Sequence, residues 1–177
     1  MKVLAISSSP RQDGNSDVMC DQFLKGAKQA GHTVKKIRLQ EYHIAPCMAC
    51  YACRKNSVCV QKDDEAKIIA DMLEADVIAL ATPIYFYSMS GQLKVMIDRT
   101  LCAHKEMKNK KFYYIITAAA NQEEAASTTV QALDGFLRCL PKSSLESVIY
   151  GMSNWQKGDI YESPAFLKAY EAGLEIK

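Results

Sequence analysis

Five apolar runs, each followed by a stretch with helical spacing, predict an α/β fold: a three-layer sandwich whose five-stranded parallel sheet, of order 2-1-3-4-5, carries helices on both faces. Three observations lead there. Strand-like and helix-like segments alternate along the whole chain. The most apolar runs are continuous rather than alternating, as strands buried on both faces require. There are five such runs and no sixth, which selects this order among doubly wound sheets.

Lys2 to Ile6 is the first strand, ended by a Ser/Pro/Gly cluster. From Asn15 to about Ala30, Val18, Met19, Phe23, Leu24 and Ala27 recur at helical spacing, and Gly31 supplies the stop. Thr33 to Leu39 reads as a second, more polar strand nearer the sheet edge. A long irregular stretch, about Gln40 to Lys62, precedes a helix that Asp63 or Asp64 can cap and that carries Ile68, Ile69, Met72 and Leu73. Asp76 to Ala81 is the third and most apolar strand, followed by a helix from Ser90 to about His104 with Leu93, Met96, Ile97 and Leu101 on one face. Lys111 to Thr117 is the fourth strand, and Glu123 to about Cys139 the next helix, closed by Pro141. Ser144 to Tyr150 is a weaker fifth strand, and Ser163-Pro164 opens the last helix with proline in its permitted first turn. No linker or repeat divides the chain, so a single domain over residues 1–177 is expected, with a cysteine-rich loop at about 40–62.

Composition narrows the function classes. The 177 residues carry 22 Lys and Arg against 20 Asp and Glu, a net charge of +2 that gives no general field for nucleic acid. Apolar residues at 49 % and charged ones at 24 % are ordinary globular values and exclude a disordered chain. Met1 to Ile6 is too short for a signal-peptide core, and no run approaches the ~20 apolar residues of a membrane span. The expectation is a cytoplasmic protein with no nucleic-acid or membrane partner. Seven cysteines are then the odd feature, because a thiol cluster in a reducing compartment points to metal or redox chemistry before disulfides.

In such a sheet ligands sit beyond the carboxyl ends of the strands, where the loops after strands one, three and four converge. The first loop, Ser7 to Ser16, joins a buried strand to a helix N-terminus and offers hydroxyls, Arg11 and a flexible Gly14. That set fits a phosphate, although Asn15 or Ser16 serves equally well as a plain helix cap. It is neither a dinucleotide fingerprint nor an NTP-binding P-loop. The second loop, Ala81 to Gly91, places Ile84, Tyr85, Phe86 and Tyr87 where loops are ordinarily polar, which suits a flat heteroaromatic ring. The competing reading is that some of them, Phe86 or Met89 first, fill the core or a subunit interface. The third, Thr117 to Gln122, has the small side chains needed where backbone approaches a ligand, or simply continues into a helix.

The pattern S-x-S-P-R-x-x-G-N-S after the first strand, with P-I-Y-F-Y-S-M-S-G-Q-L-K-x-x-I-D-R after the third, resembles the NAD(P)H-dependent FMN reductase and iron-sulfur flavoprotein family. That family is flavodoxin-like, and the resemblance covers about Met1 to Arg99. It implies that Ser7, Ser9, Arg11, Asn15 and Ser16 hold the FMN phosphate. It further implies that Pro83, Ile84, Tyr85, Phe86 and Tyr87 flank the isoalloxazine or ribityl chain, and that Thr117 and Ala118 line its far side. Ser8 stands where the family commonly has glycine, and Asp98-Arg99 reads as a helix anchor through an ion pair.

Cys47, Cys50, Cys53 and Cys59 form C-x2-C-x2-C-x5-C within the long connection. The spacing resembles the compact motif by which iron-sulfur flavoproteins bind a [4Fe–4S] cluster, and lacks the proline that closes the bacterial ferredoxin run. A four-thiolate zinc site, a reversible disulfide, thiols persisting without metal, and plain buried residues are the other readings. Cys20, Cys102 and Cys139 fall in helical patterns and are expected to be packing thiols. The run Lys105 to Lys111 reads as a solvated turn, and Trp155 as a residue of a subunit interface or a neighbour's flavin.

The expected function is an FMN-dependent oxidoreductase in which the flavin carries the chemistry, so no catalytic side chain is required. NAD(P)H or a ferredoxin-like protein would donate electrons to a small-molecule redox substrate, directly or through the cluster, and the protein would be a homodimer or homotetramer. The alternatives are a non-catalytic electron carrier and a cysteine-based redox or zinc switch.

Overall fold

The computed structural model describes residues 1–177. Its elements follow one another as β1 (Lys2–Ser7), α1 (Asn15–Gln29), β2 (Thr33–Arg38), α2 (Cys53–Asn56), α3 (Glu65–Glu74), β3 (Val77–Tyr85), β4 (Ser88–Met89), α4 (Gly91–Arg99), β5 (Lys111–Thr117), α5 (Ser127–Arg138), β6 (Ser144–Gly151) and α6 (Pro164–Leu174). The five long strands are parallel in the order β2-β1-β3-β5-β6, which is the expected 2-1-3-4-5, and the fold is flavodoxin-like. A sixth strand departs from expectation. β4 folds back antiparallel on the end of β3, pairing Ile84 with Met89 and Tyr85 with Ser88. The aromatic segment read as a loop is therefore strand and hairpin.

Strand periodicity places the core on both faces. Leu4, Ile6, Ile78, Leu80, Phe112, Tyr114 and Ile116 face α3, α4 and α5, meeting Ile68, Met72, Leu93, Met96 and Leu133. The alternate residues Val3, Ala5, Val77, Ala79, Ala81, Tyr113 and Ile115 face α1 and α6, meeting Val18, Met19, Phe23, Ala165 and Ala169. Both layers are dry, which explains why the central strands read as unbroken apolar runs.

Helix starts follow from local chemistry. The Ser163 hydroxyl accepts from the Ala165 N–H at 3.3 Å and the Ser90 hydroxyl from the Leu93 N–H at 3.4 Å. Of the two aspartates expected to cap α3, Asp63 accepts from the Glu65 N–H at 3.3 Å, while Asp64 pairs with Lys67. α1 has no side-chain cap; Gly14 stands at that position. Buried Asp17 in its first turn pairs with Lys36 at 3.0 Å and Arg38 at 3.3 Å, pinning α1 to β2.

Two expectations are corrected. Cys20 and Cys102 are buried, but Cys139 is exposed at the C-terminal cap of α5 and belongs to neither core layer. The basic run is not a simple solvated turn, since Lys110 is buried and donates to the carbonyls of Leu73 and Ala75, both at 2.6 Å. Burial holds its ammonium below the ordinary lysine range, with Asp76 opposing. Lys111 bonds the Lys177 carbonyl. No helix is long and apolar enough to cross a membrane.

Candidate functional site

A cavity of about 420 Å³ opens beyond the carboxyl ends of the strands. The end of β1 and the start of its loop hold three buried serines, of which Ser8 and Ser9 bond the backbone through their hydroxyls. Ser8 donates both its N–H and its hydroxyl to the Ala81 carbonyl, at 2.9 and 2.8 Å, and so locks the loop to β3. The Ser9 hydroxyl donates to the Arg11 carbonyl at 3.0 Å and accepts from the Arg11 N–H at 3.3 Å, folding the turn that presents Arg11. Gly14 fits closely there: a Cβ would stand 2.5 Å from the Ser9 hydroxyl and 3.1 Å from the Arg11 carbonyl, so the hydroxyl would have to turn away. The turn delivers the chain into uncapped α1, whose first-turn N–H groups and dipole favour an anion.

The cavity is lined by Ser9, Arg11, Asn15 and Ser16 from this loop and by Pro83, Ile84 and Tyr85 from the end of β3. Thr117, Ala118 and Ala119 supply a third wall, and Asn154, Trp155 and Gln156 a fourth. The Ser16 and Thr117 hydroxyls are 2.7 Å apart, joining α1 to the end of β5. Asn15 turns its amide to the last loop, donating to the carbonyls of Asn154 and Gln156 at 3.3 and 2.8 Å and accepting from the Gly158 N–H at 3.1 Å. Arg11 is the one charged residue of the lining, which includes no carboxylate and no histidine. The lining therefore offers one cation with several hydroxyls, and two aromatic side chains, Tyr85 and Trp155. It fits an anion joined to a flat ring, and no side chain is placed for general acid or base work.

Nine of the twelve residues expected at this site line the cavity. Ser7 does not: it is buried in β1 with its hydroxyl unpartnered. Phe86 and Tyr87 do not either, because they form the hairpin tip and point outward, Phe86 fully exposed and Tyr87 69 % exposed. Phe86 fills no core, whereas Met89 is buried. Both tip residues have positive φ, 49° and 61°, and the Tyr87 carbonyl is held by the hydroxyls of Thr128 and Thr129 at the start of α5. Sequence reading missed Asn154 and Gln156.

The four cysteines lie apart from this cavity, and with Cys102 and Arg99 they line a small second one. Cys47 and Cys50 are exposed, Cys53 and Cys59 half-buried, and no group of three metal-ligating side chains converges to hold an ion. The donor set fits an iron-sulfur cluster in kind, being all sulfur on one shared cavity. Arg99 does anchor a helix, but through Asp63, whose carboxylate it meets at 2.6 and 2.9 Å; Asp98 pairs with Lys94 instead.

Residues 1–151 match the family described as NADPH-dependent FMN reductase. An iron-sulfur flavoprotein of Methanocaldococcus jannaschii is 37 % identical over 100 residues, 56 % of this chain and 52 % of that protein. One from Methanosarcina thermophila is 35 % identical over 113 residues, 62 % of this chain and 59 % of that protein. The chain spans about half the length of the curated relatives it matches. The solved NAD(P)H:quinone oxidoreductase from Methanothermobacter marburgensis superposes with a TM-score of 0.76 at 17 % identity, covering 98 % of this chain and 94 % of that one. At that identity it shares the fold.

Proposed function

The chain belongs to the NADPH-dependent FMN reductase family, and from that premise we propose that it is an FMN-dependent oxidoreductase. In this reading it takes electrons from NAD(P)H or a ferredoxin-like protein and passes them to a small acceptor. The observation that carries it is the cavity whose single charge is Arg11, set beside the uncapped start of α1 and sharing its lining with the aromatics Tyr85 and Trp155. Arg11, Ser9 and the first-turn amides of α1 would hold the phosphate. Pro83, Ile84, Tyr85 and Trp155 would flank the ring, and Ala118 and Ala119 would let backbone approach its polar edge. FMN supplies the electron transfer when bound, which agrees with a lining free of acids and bases.

Cys47, Cys50, Cys53 and Cys59 are proposed to hold a [4Fe–4S] cluster, on the strength of their spacing and sulfur-only donors. The exposed aromatics Tyr85 and Trp155 of the cavity lining and Phe86 and Tyr87 of the hairpin tip are proposed to be covered by a second copy, giving a homodimer or homotetramer in the cytoplasm.

An anaerobic absorption spectrum tests the reading. Bands near ~450 and ~370 nm are expected from FMN, with a broad shoulder near ~400–420 nm and matching iron and sulfide from the cluster. Titration of apoprotein with FMN should quench the single tryptophan, Trp155. Unchanged tryptophan emission with no flavin retained sinks the assignment. Arg11→Ala is expected to weaken FMN binding about tenfold to a hundredfold, the worth of one charge-assisted hydrogen bond. Equal affinity in equilibrium dialysis would remove Arg11 from the phosphate site.

A further inference from the structure

The neck of the cysteine loop is closed by a buried ion pair that nothing in the flavin reading uses. Ala45 and Asp63, just outside Cys47 and Cys59, meet through the Ala45 N–H and the Asp63 carboxylate at 3.0 Å. Arg99, at the C-terminal end of α4, binds both sides of that neck. Its Nη1 donates to the Ala45 carbonyl and to Asp63 Oδ2, each at 2.6 Å, and its Nη2 to Asp63 Oδ1 at 2.9 Å. The two side chains are 1 % and 7 % exposed. The His43 N–H bonded to Asp64 at 2.9 Å and Gln61 bonded to the Pro46 carbonyl at 3.1 Å extend the closure on either side.

Arg99 also lines the small cavity shared by all four cysteines and Cys102. Its charge is secured by the bond to Asp63 against the pull of burial, with Cys59 adding to the effect. Cys102, three residues past the end of α4, lines the same cavity, so the chain at and just after the end of α4 borders the space the four thiols share. The other end of α4 reaches the first site, where the Ser90 hydroxyl donates to the Ser8 carbonyl at 3.2 Å.

We infer that Arg99 is the positioning residue of the four-cysteine site: it ties both ends of the loop to α4 and fixes one buried positive charge on the cavity the thiols line. The inference deepens the cluster reading and rests on it only in part, because closing the neck requires no metal. A fixed cation favours the more negative, reduced form of a thiolate-bound centre, so losing it moves the reduction potential in the negative direction.

The test compares the full chain with Arg99→Gln, Arg99→Lys and Asp63→Asn. Without metal, iodoacetamide is expected to label Cys53 and Cys59 at least about tenfold faster in Arg99→Gln and in Asp63→Asn, with hydrogen exchange raised across residues 43–64 and FMN still bound. Wild-type labelling in a folded Arg99→Gln chain overturns the closure. After reconstitution with iron and sulfide, the chains that retain iron should show a more negative potential in Arg99→Gln and one close to wild type in Arg99→Lys, which keeps the charge without the fork. Equal potentials in all three overturn the electrostatic part. If wild type takes up no iron, the cluster reading falls and labelling alone decides the role of Arg99. Should Arg99→Gln fail to fold, Asp63→Asn decides the closure, since it opens the neck and leaves Arg99 in place.

Discussion

Gly173→Ala is expected to cost about 3 kcal/mol or more of folding stability, although alanine is the better helix former by up to about 1 kcal/mol. α6 crosses α1 with Gly173 against the Phe23 carbonyl, where an added Cβ would stand 2.0 Å from the oxygen and 2.9 Å from the Ala27 nitrogen. Gly26 makes the reciprocal contact, 2.0 Å from the Tyr170 carbonyl and 2.8 Å from the Leu174 nitrogen. Every obstacle is backbone, so no rotamer change relieves it and the helices must separate. Gly135→Ala on α5 is the control: nothing lies within 4 Å of its Cβ position, and a gain of about 0.5–1 kcal/mol is expected. Urea unfolding of the two variants at one pH tests the contrast, and similar midpoints would show that the crossing yields. The loss has a functional side. α1 starts at the Arg11 loop and α6 holds its back, so a displaced α1 should release FMN as well.

The parts that were legible in the sequence are those set by short-range pattern. The apolar runs gave the strands because both sheet faces are covered, and Ser163-Pro164 marked a helix start that the Ser163 hydroxyl caps. Arg11 and Ser9 stood out because a strand-to-helix turn with hydroxyls and a guanidinium suits an anion, and the structure puts both in the cavity lining. The hairpin was not. Pro83 reads as a strand end yet pairs with Thr117 inside β3, and the turn at Phe86-Tyr87 uses two left-handed residues without the glycine or asparagine that announces such turns. An outward tip therefore looked like a cavity wall. Asn154 and Gln156 were hidden for another reason: they enter the site through Asn15, a partner about 140 positions away that leaves no local pattern.

Glu65 was equally invisible, being an ordinary acidic residue at a helix start, and it carries the largest pH effect expected of this chain's carboxyls. The residue is fully buried and neither carboxylate oxygen has a partner. Burial lifts its carboxyl from 4.5 to about 8, with Arg99 pulling it down and Asp63 pushing it up. The folded chain thus keeps a proton that the unfolded chain releases between those values, and stability falls as pH rises through that window. At about 1.4 kcal/mol for each tenfold difference in proton affinity, the loss by pH 8 is on the order of 4 kcal/mol. Glu65→Gln holds a neutral group of the same shape and should lack the slope. Urea unfolding of both chains at pH 5 and pH 8 is expected to show a stability gap opening in favour of the variant; parallel pH profiles would refute the assignment. Asp63 does not confuse the measurement. Arg99 holds its carboxyl at about 2, below the ordinary 3.8, so its contribution is complete above 3.8 and is lost only as pH falls toward 2. The two carboxyls share Arg99, which gives a second expectation: in Arg99→Gln the Glu65 loss should extend to higher pH and be larger at pH 8, because the one cation that favours its charged form is gone. Combining Arg99→Gln with Glu65→Gln should then cost less at pH 8 than the two single changes together predict.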